Sequence, residues 1–147
     1  EWAEQHAFIF WIRHPRKVVQ SFAKVIPNVT AEDIGLDQEW QQWQQVSRLP
    51  GAKIIVDSDE MLADPVRTLP RICEALELVW RPEMLRWPAG AKSYDGPWAK
   101  HWYGNVHKST GFGQPKMLPE PLNSAHENVV EAALPAYLSL FSNRFKF

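Results

Sequence analysis

Residues 7 to 12, Ala-Phe-Ile-Phe-Trp-Ile, form an unbroken apolar run between polar neighbours, and that run leaves few options. Six residues suit a strand, and the absence of polar alternation predicts one buried on both faces, as in a parallel sheet. Arg13-His14-Pro15 ends the run, and Pro15 fits the first turn of a helix, where its missing N–H would have no partner anyway. Val18, Val19, Phe22, Val25 and Ile26 then follow helical spacing up to Pro27, with Lys17, Ser21 and Lys24 on the opposite side. After the Pro50-Gly51 turn, Lys53 to Asp57 reads as a second short strand. Strand, helices, strand is a crossover unit, predicted right-handed and parallel. A strand as apolar as 7–12 needs neighbours at both edges, and two strands do not make a self-sufficient sheet. The expected fold class is therefore α/β, a partial parallel sheet with flanking helices. The expected domain is a single one over residues 1–147, incomplete, with N-terminal strands absent before Glu1.

Between the strands, Thr30 is placed to cap a helix with Asp33 three residues on, and Asp37 restarts one whose buried stripe is Leu36, Trp40, Trp43 and Val46. Asp64-Pro65 is a helix start, a capping oxygen followed by Pro at the first position. Its stripe is Val66, Leu69, Ile72, Cys73 and Leu76, which puts Cys73 in the core rather than at a nucleophile's position. Residues 87 to 123 read as a long irregular segment, too rich in Trp, Tyr and Phe for disorder and so a candidate functional loop. A last helix is predicted over about 124 to 142, bent at Pro135. Composition narrows the class: one Cys fits a reducing compartment, here taken as cytoplasmic, and no run reaches the roughly 18 apolar residues of a membrane span. With 16 basic against 17 acidic residues, nucleic acid is not an expected partner. His6, His14, His101 and His107 match no metal-ligand spacing, so no metal is expected; His101 and His107 are placed to approach a substrate from the aromatic loop.

The near-neutral total hides segregation. Residues 13 to 24 carry Arg13, Arg16, Lys17 and Lys24 and no acid. From Arg86 to Lys116 there are five Lys or Arg with His101 and His107, opposed only by Asp95. Together the two segments would make a local anionic pocket. In open α/β sheets, ligands bind beyond the carboxyl ends of the strands, and Arg13 stands at such an end. Arg16 and Lys17 fall in a first helical turn, where cations oppose the helix dipole unless an anion neutralises them. Arg13 offers a planar fork for phosphate, and Ser21 a hydroxyl two turns later. The alternative is that Arg13 pairs with an acid and Ser21 faces water.

Phe10-Trp11-Ile12-Arg13-His14-Pro15-Arg16-Lys17-Val18-Val19-Gln20-Ser21 resembles the 3′-phosphate-binding segment of sulfotransferases that use 3′-phosphoadenosine 5′-phosphosulfate (PAPS). There an apolar strand ends in Arg, continues through Asp or Asn and Pro, and places Ser eight residues after the Arg. The resemblance implies a P-loop-type sulfotransferase fold in which Arg13 and Ser21 hold the 3′-phosphate of PAPS, with His14 a departure from the usual Asp or Asn. Ile54-Ile55-Val56-Asp57 and Asp59-Glu60-Met61-Leu62-Ala63-Asp64-Pro65 are similar to a structural part of that family. Lys92-Ser93-Tyr94-Asp95-Gly96-Pro97-Trp98 is loosely similar to its late phosphate loop, implying cofactor contacts from Lys92 and Gly96. Ala91, Ser93 and Pro97 depart from that pattern.

The family's phosphosulfate loop and catalytic base precede the segment that opens this chain, so the catalytic residues are not assigned. No Gly-x-x-x-x-Gly-Lys-Ser/Thr occurs, and Gly111-Phe112-Gly113 follows no strand and reads as loop geometry. The implied function is transfer of a sulfuryl group from PAPS to a hydroxyl or amine of a small-molecule acceptor, this chain supplying the 3′-phosphate half. Two alternatives stay open: a P-loop-type small-molecule kinase or phosphotransferase, and a non-catalytic interaction domain.

Overall fold

The structure, a computed structural model, describes residues 6–147. Two strands, β1 (Phe8–Ile12) and β2 (Lys53–Asp57), pair in parallel, with Phe8 opposite Lys53 and Ile12 opposite Asp57. Between them come α1 (Pro15–Phe22), α2 (Ala31–Ile34) and α3 (Leu36–Val46). After β2 follow α4 (Ser58–Ala63), α5 (Pro65–Ala75), a 3-10 turn at Pro82–Leu85, α6 (Ala99–Trp102) and α7 (Ser124–Ser142). The chain is thus mixed α/β, a two-stranded parallel sheet with flanking helices.

Local chemistry explains most boundaries. Thr30 and Asp33 form a full capping box on α2: the Thr30 hydroxyl accepts the Asp33 N–H and Asp33 accepts the Thr30 N–H. Gly35, at φ +70°, is the joint that lets α3 begin directly after α2, a backbone state that favours glycine. Asp57 caps α4 by accepting the N–H groups of Asp59 and Glu60, and Asp64 caps α5 through the Arg67 N–H. The helix α1 closes at Phe22, short of Pro27, leaving Val25 exposed rather than on a buried stripe. α7 runs from Ser124 across Pro135 to Ser142 as one element.

The sheet divides the core. On one face Phe10, Ile12 and Ile55 pack with Leu36 of α3 and Ala133, Ala136, Tyr137 and Leu140 of α7, and Trp43 meets Phe10 edge-on at 5.4 Å. On the other, Ile54 and Val56 pack with Met61, Ile72 and Leu76 of α4 and α5. That second layer reaches over β2 only. Ile9 and Trp11 of β1, which point the same way, remain 44% and 43% exposed, so the expected cover on both faces of β1 is absent among the described residues. Val66 likewise leaves the predicted stripe of α5 and is 65% exposed, whereas Cys73 is buried as expected. Among the described residues the outer edge of β1 meets α3 and no further strand. The Phe8 N–H donates to Ala52 O at 2.9 Å, so by alternation the Trp11 N–H faces outward. There it meets Glu39, whose carboxyl is pushed up to about 7 by burial, with the Trp11 N–H pulling weakly the other way.

Two predictions follow from this packing. Ile55→Ala, at a fully buried site, should cost about 2–5 kcal/mol in urea unfolding; Val66→Ala should change stability by less than about 0.5 kcal/mol. Because the folded chain holds the Glu39 proton more tightly than the unfolded one, stability should fall as pH rises from 4.5 to about 7. Glu39→Gln should flatten that fall; identical pH profiles for the two proteins would contradict the assignment.

Candidate functional site

Both strands end side by side. Ser58 Oγ, at the start of α4, donates to Ile12 O at 2.6 Å, tying the carboxyl end of β1 to that of β2. Asp57 is fully buried there and also accepts the Tyr137 hydroxyl at 3.1 Å. Burial pushes the Asp57 carboxyl up, and its three hydrogen bonds oppose that shift. The Tyr137 hydroxyl is raised, first by burial and then by Asp57.

The turn from β1 into α1 carries the cations. His14 Nδ1 accepts the Arg16 N–H at 3.2 Å, capping α1, and the ring lies 5.3 Å from Tyr137. An acceptor at Nδ1 places the ring proton on Nε2, and burial followed by Arg16 and Lys17 lowers the His14 pKa, so the neutral form is favoured. Arg16 pairs with Glu127 of α7 at 2.9 Å; the Leu122 N–H and then Arg16 hold that carboxyl low. Lys17 was predicted on a polar outer side but is buried, its Nζ bonded to Asp59 at 2.7 Å and to the Lys116 carbonyl. The two cations that strain the start of a helix are therefore neutralised from within the chain. Arg13 is not. Among the described residues no acid pairs with it, and its Nε, like that of Arg16, is buried without a partner. Ser21 stands exposed on α1, one turn beyond Lys17.

Lys92 and Gly96 lie on a separate turn. The Lys92 N–H donates to Asp95 Oδ2 at 2.7 Å, and Lys92 Nζ to Pro88 O at 2.6 Å. Gly96 lies against the exposed Trp98 ring, which a larger residue there would have to displace. Trp102 of α6 packs on Phe22 at 5.2 Å between ring centres, which docks this loop on the end of α1, next to Ser21. No hydrogen bond joins Lys92 or Gly96 to Arg13 or Ser21 among the described residues. The aromatic loop is ordered by contacts of its own: Trp87 meets Phe112 edge-on at 5.1 Å and donates to Ser109 Oγ at 3.0 Å. It borders a cleft of about 740 Å³ against the start of α5, and a smaller one of about 220 Å³ between Trp87 and His107.

A sulfotransferase domain family matches residues 1–144. The chain belongs to the sulfotransferase domain family. It is 36% identical over 132 residues to branched-chain-amino-acid aminotransferase-like protein 1 of Arabidopsis thaliana, covering 90% of this chain and 24% of the relative. It is 35% identical over 126 residues to the like-named protein 2 of the same plant, covering 86% of this chain and 22% of that relative. The chain thus spans about a quarter of the length of these curated relatives. No solved structure matches it.

Within the sulfotransferase frame, His14 does through Nδ1 what a capping Asp or Asn does with an oxygen, so the departure at this position keeps an acceptor for the α1 backbone. Among the contacts that escaped the sequence reading are Lys17–Asp59, Asp57–Tyr137, and the His107–Asp95 pair at 2.8 Å. The first two link positions 42 and 80 residues apart and carry no spacing signal. The third had one, since Asp95 is the only acid in a basic stretch. His101 is exposed on α6. Among the described residues no three His, Cys, Asp or Glu side chains gather as for a metal, and no helix is long and apolar enough to cross a membrane.

These pairings predict opposite roles for neighbouring cations. Lys17→Ala strands Asp59 and should cost about 1–3 kcal/mol in denaturant unfolding. Arg13→Ala breaks no pair among the described residues and should shift stability by less than about 0.5 kcal/mol.

Proposed function

We propose that the chain supplies the 3′-phosphate-binding half of a PAPS-dependent sulfotransferase, which moves a sulfuryl group to a hydroxyl or amine of a small-molecule acceptor. The observation that supports this reading most is Arg13. A guanidinium at the carboxyl end of a parallel strand, with no acid beside it among the described residues, fits a group that brings its own negative charge. Arg16 and Lys17, though nearer the helix start, are already spoken for by Glu127 and Asp59. Arg13 would take the phosphate through its planar fork and Ser21 through its hydroxyl. Lys92 would add a further ammonium and Gly96 a close-approach turn, on a loop that Trp102 holds against α1.

PAPS supplies the activated sulfuryl group. The part proposed for these residues is to bind and orient the nucleotide end and to offset its charge, the kind of positioning that carries most of the rate in related group transfers. The aromatic loop would cover the adenosine and give the acceptor an apolar wall along the clefts bordered by Trp87. This reading needs no metal from the protein.

The test is calorimetric titration of the full-length protein with adenosine 3′,5′-bisphosphate, AMP and ATP with Mg²⁺. Binding should favour the bisphosphate over AMP by at least tenfold, and Arg13→Ala should remove that preference without changing the fold. Equal affinity for all three nucleotides, or full affinity in the variant, would overturn the proposal; preference for ATP with Mg²⁺ would replace it with a kinase reading.

A further inference from the structure

The Lys92 turn is built around a single oxygen atom. Asp95 Oδ2 accepts the Lys92 backbone N–H at 2.7 Å and lies 2.8 Å from His107 Nε2. The Asp95 N–H returns a bond to Lys92 O at 3.1 Å, so the turn is closed in both directions. His107 is itself held: its N–H donates to Tyr103 O at 2.8 Å, its carbonyl accepts the Gly90 N–H at 2.7 Å, and its ring meets Tyr103 edge-on. Through these contacts residues 90–95 and 103–107 are cross-tied, in a part of the chain where only the short α6 supplies regular structure. The Lys92 N–H first, then His107, keep the Asp95 carboxyl below the usual range, and an ionised carboxylate accepts the proton of His107 Nε2–H.

This arrangement explains why an acid stands alone among five cations and two histidines between Arg86 and Lys116. An acid that opposed Lys92 directly would cancel it. Asp95 instead bonds the Lys92 backbone, and the Lys92 ammonium goes to a neutral carbonyl, Pro88 O, at 2.6 Å. An ammonium has three protons, so two stay available for an anion. Fixing the backbone from which a flexible side chain springs lowers the entropy lost when that side chain binds.

We propose that Asp95 and His107 are positioning residues for Lys92, locking the turn that presents its ammonium to the anionic group of the nucleotide. This rests on the 3′-phosphate reading above. Asp95→Asn keeps one carbonyl oxygen able to take both contacts, and Asp95→Ala removes it; both remove the charge. The comparison therefore isolates geometry from electrostatics.

The experiment measures the Kd of the full-length protein for adenosine 3′,5′-bisphosphate in Asp95→Ala and Asp95→Asn, each with Lys92 intact and with Lys92→Ala. Asp95→Ala should bind at least fivefold more weakly than Asp95→Asn, and the difference should vanish once Lys92 is Ala. His107→Phe, which keeps a ring beside Tyr103, should also weaken binding only while Lys92 is present, and it serves in place of Asp95→Ala if that variant unfolds. Equal affinities for the two Asp95 variants, or a difference that persists without Lys92, would overturn the positioning role. Full affinity in Arg13→Ala would instead strike the nucleotide reading itself, so the two failures are distinct.

Discussion

The parallel pairing of β1 with β2 is what the rest of the molecule depends on. It brings two strand ends, 45 residues apart from Ile12 to Asp57, into one register, and Ser58 Oγ on Ile12 O fixes that junction at 2.6 Å. The cations and acids at the strand ends are hung from it. Arg13 leaves the end of β1, Asp57 ends β2 and caps α4, and α7 closes over both through Tyr137. A slip of one residue would turn Phe10 and Ile12 outward and bury Ile9 and Trp11 against α7, because side chains alternate along a strand.

Charge is then sorted by partner rather than by position. Of the three cations at the start of α1, two are consumed by the fold: Arg16 by α7 through Glu127, Lys17 by α4 through Asp59. These bonds clamp α1 between elements distant in sequence and relieve the unfavourable placement of positive charge at a helix start. What remains is Arg13, half-buried and with no acid beside it among the described residues. An anionic ligand would resolve that imbalance, and the contrast between two internally paired cations and one without an acid is the physical basis of the functional proposal.

Much of this was legible in the sequence because the signals were local. The apolar run, Pro15, the Thr30–Asp33 box and Asp64-Pro65 each fix backbone geometry within four residues, and each lies where it was expected. The apolar run misled in one respect. Absence of polar alternation predicted cover on both faces of β1, yet α4 and α5 cover only β2, and Ile9 and Trp11 stay open. Lys17 misled in another: helical spacing put it on a polar side with Ser21 and Lys24, and its ion pair with Asp59 draws Lys17 alone inward. Such pairs are decided by tertiary packing, which single-chain periodicity does not encode. Arg13 and Ser21 were singled out through a motif, whereas Asp95 stood out only once one oxygen was seen to serve two donors.

The most direct test of the account is a crystal structure of the full-length protein with adenosine 3′,5′-bisphosphate. The account predicts 3′-phosphate oxygens at about 2.7–3.0 Å from the Arg13 guanidinium and the Ser21 hydroxyl, with Arg16 still on Glu127 and Lys17 still on Asp59. A phosphate bound elsewhere, with Arg13 paired to a carboxylate, would contradict it.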